Sequence, residues 1–138
     1  MKKGITFGAF DLFHAGHVLM LQEAKTVCDY LIVCIQTDPS FDRKSKNTPI
    51  QSLLEREIQI TACRYVDEDM VYDTEADLIE ILDSVEWDVR ILGDEYQNKD
   101  FTGRDKYLEK CYFNKRPHTF SSSELRERVA EKEASKSS

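Results

Sequence analysis

No CxxC pair occurs among the four cysteines, Cys28, Cys34, Cys63 and Cys111, and their scatter matches no zinc-ligand spacing. Three of them sit in apolar surroundings, so they read as reduced, core-filling thiols of a cytoplasmic protein. No apolar run approaches the roughly 20 residues that span a bilayer. The run behind Met1-Lys2-Lys3 is broken at once by Asp11, His14 and His17, so neither a membrane span nor a signal peptide is expected. Positive charge is in deficit: 19 Lys and Arg face 26 Asp and Glu, for a formal net charge of -7. That argues against a nucleic-acid partner, which needs a basic face, but leaves room for a small anion held by a local cluster. The five glycines form neither GxxxxGK[ST] nor GxGxxG, which sets aside P-loop and nicotinamide-dinucleotide binding. There is no internal repeat and no long linker, and 138 residues suit one domain with one core.

What is present alternates. Ile5 to Phe7 reads as a short strand, followed by a turn at Gly8-Ala9. From Ala15 to about Val27 the apolar residues Val18, Leu19, Leu21, Ala24 and Val27 recur at helical spacing. "YLIVCIQT" is a nearly continuous β-rich run, as expected of a strand buried on both faces of a parallel sheet. "FDRKSKNTP" is a polar, basic loop. A second helix is expected over Ile50 to Tyr65, with Leu53, Leu54, Ile58 and Ala62 on one side. Next come a short strand "VDEDMVY", an amphipathic helix "EADLIEILDSV", a strand "DVRILGD", and a polar loop "EYQNKDFTGRD". "KYLEKCYFN" holds a short helix and a short strand. Ser121 to Glu124 matches a capping box, and Leu125 and Val129 are expected to face inward from the helix it opens. Residues 1–131 are read as one domain, and 132–138 as a flexible tail with nothing to bury.

Strand-helix alternation implies parallel strands joined by right-handed crossovers. The expected fold is a three-layer α/β/α sandwich, Rossmann-like, with a parallel sheet of about five strands. Ligands in such sheets bind beyond the carboxyl ends of the strands, at a topological switch. The polar segments "GAFDLFHAGH", "TDPSFDRKSK", "GDEY" and "RPHTFSSS" all fall at strand ends or before the last helix, so one face collects them. Gly8 permits close backbone approach and unusual dihedrals, and Gly16 lies in the first helical turn, where a side chain would crowd a ligand. A helix start offers free amides and positive potential to phosphate. His14 and His17, three apart, project from one side of that start as hydrogen-bond donors. Lys44, Lys46 and Arg116 add charge, and the set describes a polyphosphate site without a nucleophile. Positioning and charge neutralisation suffice for nucleotidyl transfer. Metal ligation by the histidines lacks a third ligand other than Asp11. Trp87 reads as core, and His118 as a surface-loop histidine.

"GAFDLFHAGH" resembles the GxFDxxHxGH signature of the cytidylyltransferase superfamily of small nucleotidyltransferases, and "RPHTFSSSELR" stands in the place of their second signature, RTxGISTTxI. With "DYLIVCIQTD", the lysine-bearing loop, "ERE", "RYVDE" and "ILGDEY", the likeness covers most of the chain and is nearest to the bacterial glycerol-3-phosphate cytidylyltransferases. The resemblance implies an enzyme that joins CTP to a phosphorylated alcohol such as glycerol 3-phosphate, releasing pyrophosphate, with Mg²⁺ carried by the nucleotide. It implies that His14 and His17 stabilise the reacting α-phosphorus, that Lys44 and Lys46 engage phosphates of both reactants, and that Arg116 belongs to the same catalytic set. By the same likeness the nucleotide meets Gly8, Ala9, Phe10, Asp11 and Gly16, with Asp11 holding the loop, then Gly93, Asp94 and Glu95, then Arg116, Thr119, Phe120, Ser121, Ser122 and Ser123. Asp38, Arg56 and Lys46 fall where the acceptor binds, and Arg64 falls at a homodimer contact. The second signature departs from the pattern: Thr119 replaces glycine, Phe120 replaces isoleucine, and Pro117-His118 is unlike the usual pair. "GDEY" is nearer the acidic pair of cytidylyl enzymes than the single aspartate of adenylyl ones. The alternatives are an adenylyltransferase using ATP on a flavin, phosphopantetheine or sugar-phosphate acceptor, and a nucleotide-binding module without turnover.

Overall fold

The computed structural model describes residues 1–115 and 118–136. Its five strands are β1 (Lys3–Gly8), β2 (Tyr30–Gln36), β3 (Glu68–Tyr72), β4 (Val89–Leu92) and β5 (Cys111–Phe113). They form one all-parallel sheet in the order β3-β2-β1-β4-β5. The helices are α1 (Ala15–Ala24), α2 (Leu53–Ala62), α3 (Glu75–Ser84), the single-turn α4 (Arg104–Tyr107) and α5 (Ser122–Lys136). The chain leaves β1 toward β2 and β3, then returns to place β4 on the other side of β1. That reversal between β1 and β4 is the topological switch, and it opens a crevice at the carboxyl ends of both strands.

Period-two alternation divides β2 between two cores, as its unbroken apolar run requires. Leu31, Val33 and Ile35 meet Leu21 and Ala24 of α1 and Ile60 of α2 on one face. Ile32 and Cys34 meet Leu78 and Leu82 of α3 and Trp87 on the other. The layers are therefore helix, sheet, helix, as expected. Fully buried isoleucines such as Ile5 and Ile60 each contribute about 1.5–3 kcal/mol by leaving water. Among the described residues no helix is long and apolar enough to cross a membrane.

Helix boundaries depart from expectation where caps outrank apolar spacing. The α2 helix starts at Leu53 rather than Ile50, because Ser52 and Glu55 close a reciprocal capping box, Ser52 Oγ accepting from Glu55 N at 3.2 Å and Glu55 Oε1 from Ser52 N at 2.9 Å. It ends at Ala62, short of Tyr65. Its buried residues are Arg56 and Ile60, whereas Leu54 and Ile58, expected on the inner side, are 67% and 59% exposed. The α1 helix stops at Ala24, not Val27, because Thr26 N and Val27 N bond three residues back to Glu23 O and Ala24 O. Ser121 Oγ accepts from Glu124 N at 3.1 Å, so the last helix opens as its sequence signature indicates. Leu125 is half-buried, but Val129 is 57% exposed and does not face inward. Residues 132–136, expected to belong to a flexible tail, continue α5 to Lys136. Their alanine, glutamate and lysines are strong helix formers, and Lys136 Nζ lies 3.3 Å from Glu133 Oε1.

Candidate active site

A cleft of about 700 Å³ opens along the carboxyl ends of the strands, within the size range of small-molecule sites. The loop after β1 forms one wall. Phe10 and Leu12 both have φ of 52°, the left-handed region that side chains disfavour, so it is these two residues, not Gly8, that carry the unusual dihedrals. Asp11 between them holds the loop. Its carboxylate accepts from Ile50 N at 2.8 Å and Gln51 N at 2.9 Å, and pairs with Arg126 Nη2 at 3.0 Å. Burial alone would raise the Asp11 pKa, but those hydrogen bonds and the guanidinium outweigh it and leave the carboxyl below its usual range. The acid in the signature is thus a tether from the first loop to the α2 approach and to α5.

The two histidines are fixed by the helix they begin. His14 is the N-cap of α1, its Nδ1 accepting from Gly16 N at 3.0 Å, while His17 Nδ1 accepts from His14 N at 3.1 Å. A nitrogen that accepts from an amide carries no proton, so in both neutral rings the proton sits on Nε2. His14 Nε2 then donates to Ser122 Oγ at 3.0 Å. The rings lie 4.0 Å apart between centroids, and His17 stacks on Phe13 at 5.5 Å and 3°. Burial first, and the adjacent His14 second, push the His17 pKa down to about 3, against a smaller upward pull from Asp11. His17 is therefore a neutral donor at pH 7. Its unfolded form takes up a proton below about 6.5, which the folded form refuses until about 3. The stability this contributes is complete above pH 6.5 and is lost as pH falls through that window.

Gly16 makes the arrangement possible. A Cβ there would lie 2.8 Å from His14 Cε1, 3.0 Å from His14 Nδ1 and 3.2 Å from His118 Cε1. The His14–Ser122 bond brings the N-termini of α1 and α5 together, so two positive helix ends face one cleft.

Of the residues singled out in the sequence, Gly8, Ala9, Phe10, His14, Gly16, His17, Lys46, Gly93, Glu95, Phe120, Ser122 and Ser123 line this cleft. Ser121 is spent on capping α5. Arg116 lies outside the described residues. Lys44, Asp94 and Thr119 are not in the lining; Lys44 and Thr119 are exposed, and Asp94 opens a 3-10 turn with Glu95. Asp38 is turned back to cap its own loop, its Oδ1 accepting from Ser40 N and Oγ. Arg56, expected to face the acceptor, is only 2% exposed. Its guanidinium donates to Ala9 O at 3.1 Å, Gln36 O at 2.5 Å and Thr37 O at 2.8 Å, tying the ends of β1 and β2 together. Arg64 sits at the surface against Tyr65, 2.9 Å from its hydroxyl.

The structure adds residues that sequence reasoning passed over. His118, which the sequence places on a surface loop, is half-buried in the cleft, Nδ1 accepting from Phe120 N at 3.1 Å and its ring stacked on Phe120. Arg43, Glu75 and Arg90 also line it. Arginine in the apolar strand "VRIL" was the one signal for Arg90 legible beforehand.

A profile of the family described as "Cytidylyltransferase-like" matches residues 5–128. The chain belongs to the cytidylyltransferase-like family. Glycerol-3-phosphate cytidylyltransferase of Bacillus subtilis is 34% identical to this family member over 133 residues, which cover 94% of this chain and 98% of that one. Ethanolamine-phosphate cytidylyltransferase of Arabidopsis thaliana is 50% identical over 62 residues, 44% of this chain, and the match spans 15% of that protein's length. Among solved structures, the lipopolysaccharide core biosynthesis protein of Thermoplasma volcanium superposes with a TM-score of 0.64 at 27% identity, covering 78% of this chain and 85% of that one. Within this cytidylyltransferase-like fold, the HxGH histidines stand at the start of α1, on the switch between β1 and β4.

Proposed function

We propose that the protein is a cytidylyltransferase that joins CTP to a phosphorylated alcohol, giving a CDP-alcohol and pyrophosphate. The observation that carries this reading is the pair of imidazoles whose Nδ1 atoms are tied to amides, which fixes both Nε2–H groups as donors, that of His14 resting on Ser122 Oγ until an α-phosphate oxygen replaces the hydroxyl. An oxygen of the acceptor phosphate attacks the α-phosphorus, the new P–O bond forms as the bond to the β-phosphate bridging oxygen breaks, and pyrophosphate leaves. His14 and His17 donate to oxygens of the α-phosphate as charge builds there. Ser122 and Ser123 at the start of α5, with Lys46, line the same cleft, and to them the reading assigns the β- and γ-phosphates. Mg²⁺ enters with the triphosphate as part of the substrate. Asp11, the acid nearest the histidines in sequence, is already committed to Ile50, Gln51 and Arg126.

Two features support CTP: the acidic pair Asp94-Glu95 in the turn after β4, and the cytidylyl activity named for the Bacillus and Arabidopsis relatives. The test is a matrix of four nucleoside triphosphates against glycerol 3-phosphate and other phospho-alcohols, read by pyrophosphate release. CTP is expected to support turnover; release with ATP alone overturns the cytidylyl reading, and nucleotide binding without release overturns the enzyme.

We further propose a homodimer that buries the exposed Leu54 and Ile58 of α2 and the neighbouring hollow lined by Phe13, Val18, Arg64 and Tyr65. Light scattering is expected to read twice the chain mass of 16.1 kDa, and Leu54→Asp with Ile58→Asp to return it to the single mass. A wild-type reading at the single mass removes the second copy.

A further inference from the structure

The end of the cleft remote in sequence from both phosphate-facing helix starts carries a charge cluster that the transfer chemistry does not use. Arg90 leaves β4 as a guanidinium only 4% exposed, between the rings of Phe7 at 5.1 Å and Phe101 at 5.4 Å. Its Nη1 donates to Thr102 O at 2.5 Å, and its Nε has no hydrogen-bond partner among the described residues. Thr102 also donates from Oγ1 to Glu75 Oε1 at 3.3 Å. The other oxygen of that carboxylate, Glu75 Oε2, is buried and has no hydrogen-bond partner among the described residues. Arg43 Nε lies 3.3 Å from Glu75 Oε1, an ion pair without hydrogen-bond geometry. Arg43, Glu75, Arg90, Phe101 and Thr102 all line the cleft.

Two buried polar atoms of opposite hydrogen-bonding sense, a donor and an acceptor separated by one threonine, are costly to leave unmade. A hydroxyl can meet either need, since it can accept from a donor such as Arg90 Nε and can donate to an acceptor such as Glu75 Oε2. An ammonium can only donate. Arg43 and Arg90 stand against the Glu75 carboxylate and the exposed Asp42, whose Oδ2 accepts from Glu75 N at 2.6 Å, so the buried part of the cluster offers an ammonium no second carboxylate. Glu95 and Asp100 also line the cleft, but both are exposed to water.

On the reading of the protein as a nucleotidyltransferase, we propose that Arg90 and Glu75 select the acceptor. They bind the hydroxyls of a phosphorylated polyol or sugar and exclude amino-alcohol phosphates. Phe7 and Phe101 flank the guanidinium and hold it in place for that contact.

The experiment measures CTP-dependent kcat/KM for glycerol 3-phosphate, ribitol 5-phosphate, phosphoethanolamine and phosphocholine, with calorimetric binding of each acceptor in parallel. Polyol phosphates are expected to exceed the two amino-alcohol phosphates by at least about 100-fold, since a site built to bond a hydroxyl rejects what lacks it. Glu75→Ala is expected to raise the polyol phosphate KM about tenfold or more with kcat and the KM for CTP little changed, the mark of a distal binding contact. Arg90→Met should narrow the preference for polyol over ethanolamine; circular dichroism reports whether it folds, and the half-buried Glu75 carries the test if it does not. Turnover that prefers phosphoethanolamine, or an unaltered polyol KM in Glu75→Ala, overturns the inference and leaves nucleotidyl transfer standing. Polyol phosphate binding that Glu75→Ala weakens, without pyrophosphate release from any pair, keeps the inference and overturns transfer. Absence of both binding and release overturns the two together.

Discussion

Replacing His14 or His17 with alanine is expected to lower kcat by about 100- to 1000-fold while nucleotide affinity changes little, since each removes a donor that strengthens only as charge develops. The two variants should differ in a second respect. His17 is neutral because burial and His14 push its pKa down to about 3, so the wild-type protein loses stability at up to about 1.4 kcal/mol per pH unit as pH falls below 6.5. A His17→Asn variant keeps a side chain able to accept from His14 N and removes that titration, so its thermal midpoint should decline less between pH 7 and pH 5. Steady-state pyrophosphate release and melting curves at both pH values read the two effects. Full turnover in both alanine variants sinks the catalytic assignment, and a wild-type-like pH slope in His17→Asn sinks the account of its pKa.

Gly16→Ala should be nearly as damaging to activity, for a purely steric reason. The added methyl would lie 2.8 Å from a ring that cannot swing aside freely, because His14 is tied to Gly16 N on one side and Ser122 Oγ on the other. Either the ring shifts or the first turn of α1 does. A misplacement near 1 Å costs about 100-fold in rate, and alanine suits a helix better than glycine by roughly 1 kcal/mol, so the variant should fold well and turn over poorly. The comparison of its melting temperature with its kcat checks this. A variant with wild-type kcat would mean that the His14 ring does not need its position.

The elements came readily from the sequence because β2 is apolar without interruption and because "GAFDLFHAGH" couples a strand end to a helix start within ten residues. Local signals of that kind do not depend on partners distant in the chain. What escaped was set by distant partners. Arg56 lies on a helix face that looks amphipathic and exposed, yet three carbonyls at the ends of β1 and β2 claim it. Asp11 is expected to hold its loop and does so, but the partners it uses, Ile50, Gln51 and Arg126, lie 39, 40 and 115 residues away, and nothing in the motif points to them. The exposed Leu54 and Ile58 show the converse error, since apolar spacing locates a hydrophobic face but does not say which layer, if any, covers it. His118 reads as a surface residue because nothing in its sequence neighbours points to Gly16, far earlier in the chain, where the missing side chain makes room for its ring.

The cap of α1 has a further consequence. The bonds that start this helix are the same bonds that fix which nitrogen of each histidine carries the proton. A proton arriving on either Nδ1 would take away an acceptor, free a backbone amide and erase the donor orientation in one stroke. Folding of the first turn therefore also sets the orientation of the two donors, and what loosens the one loosens the other.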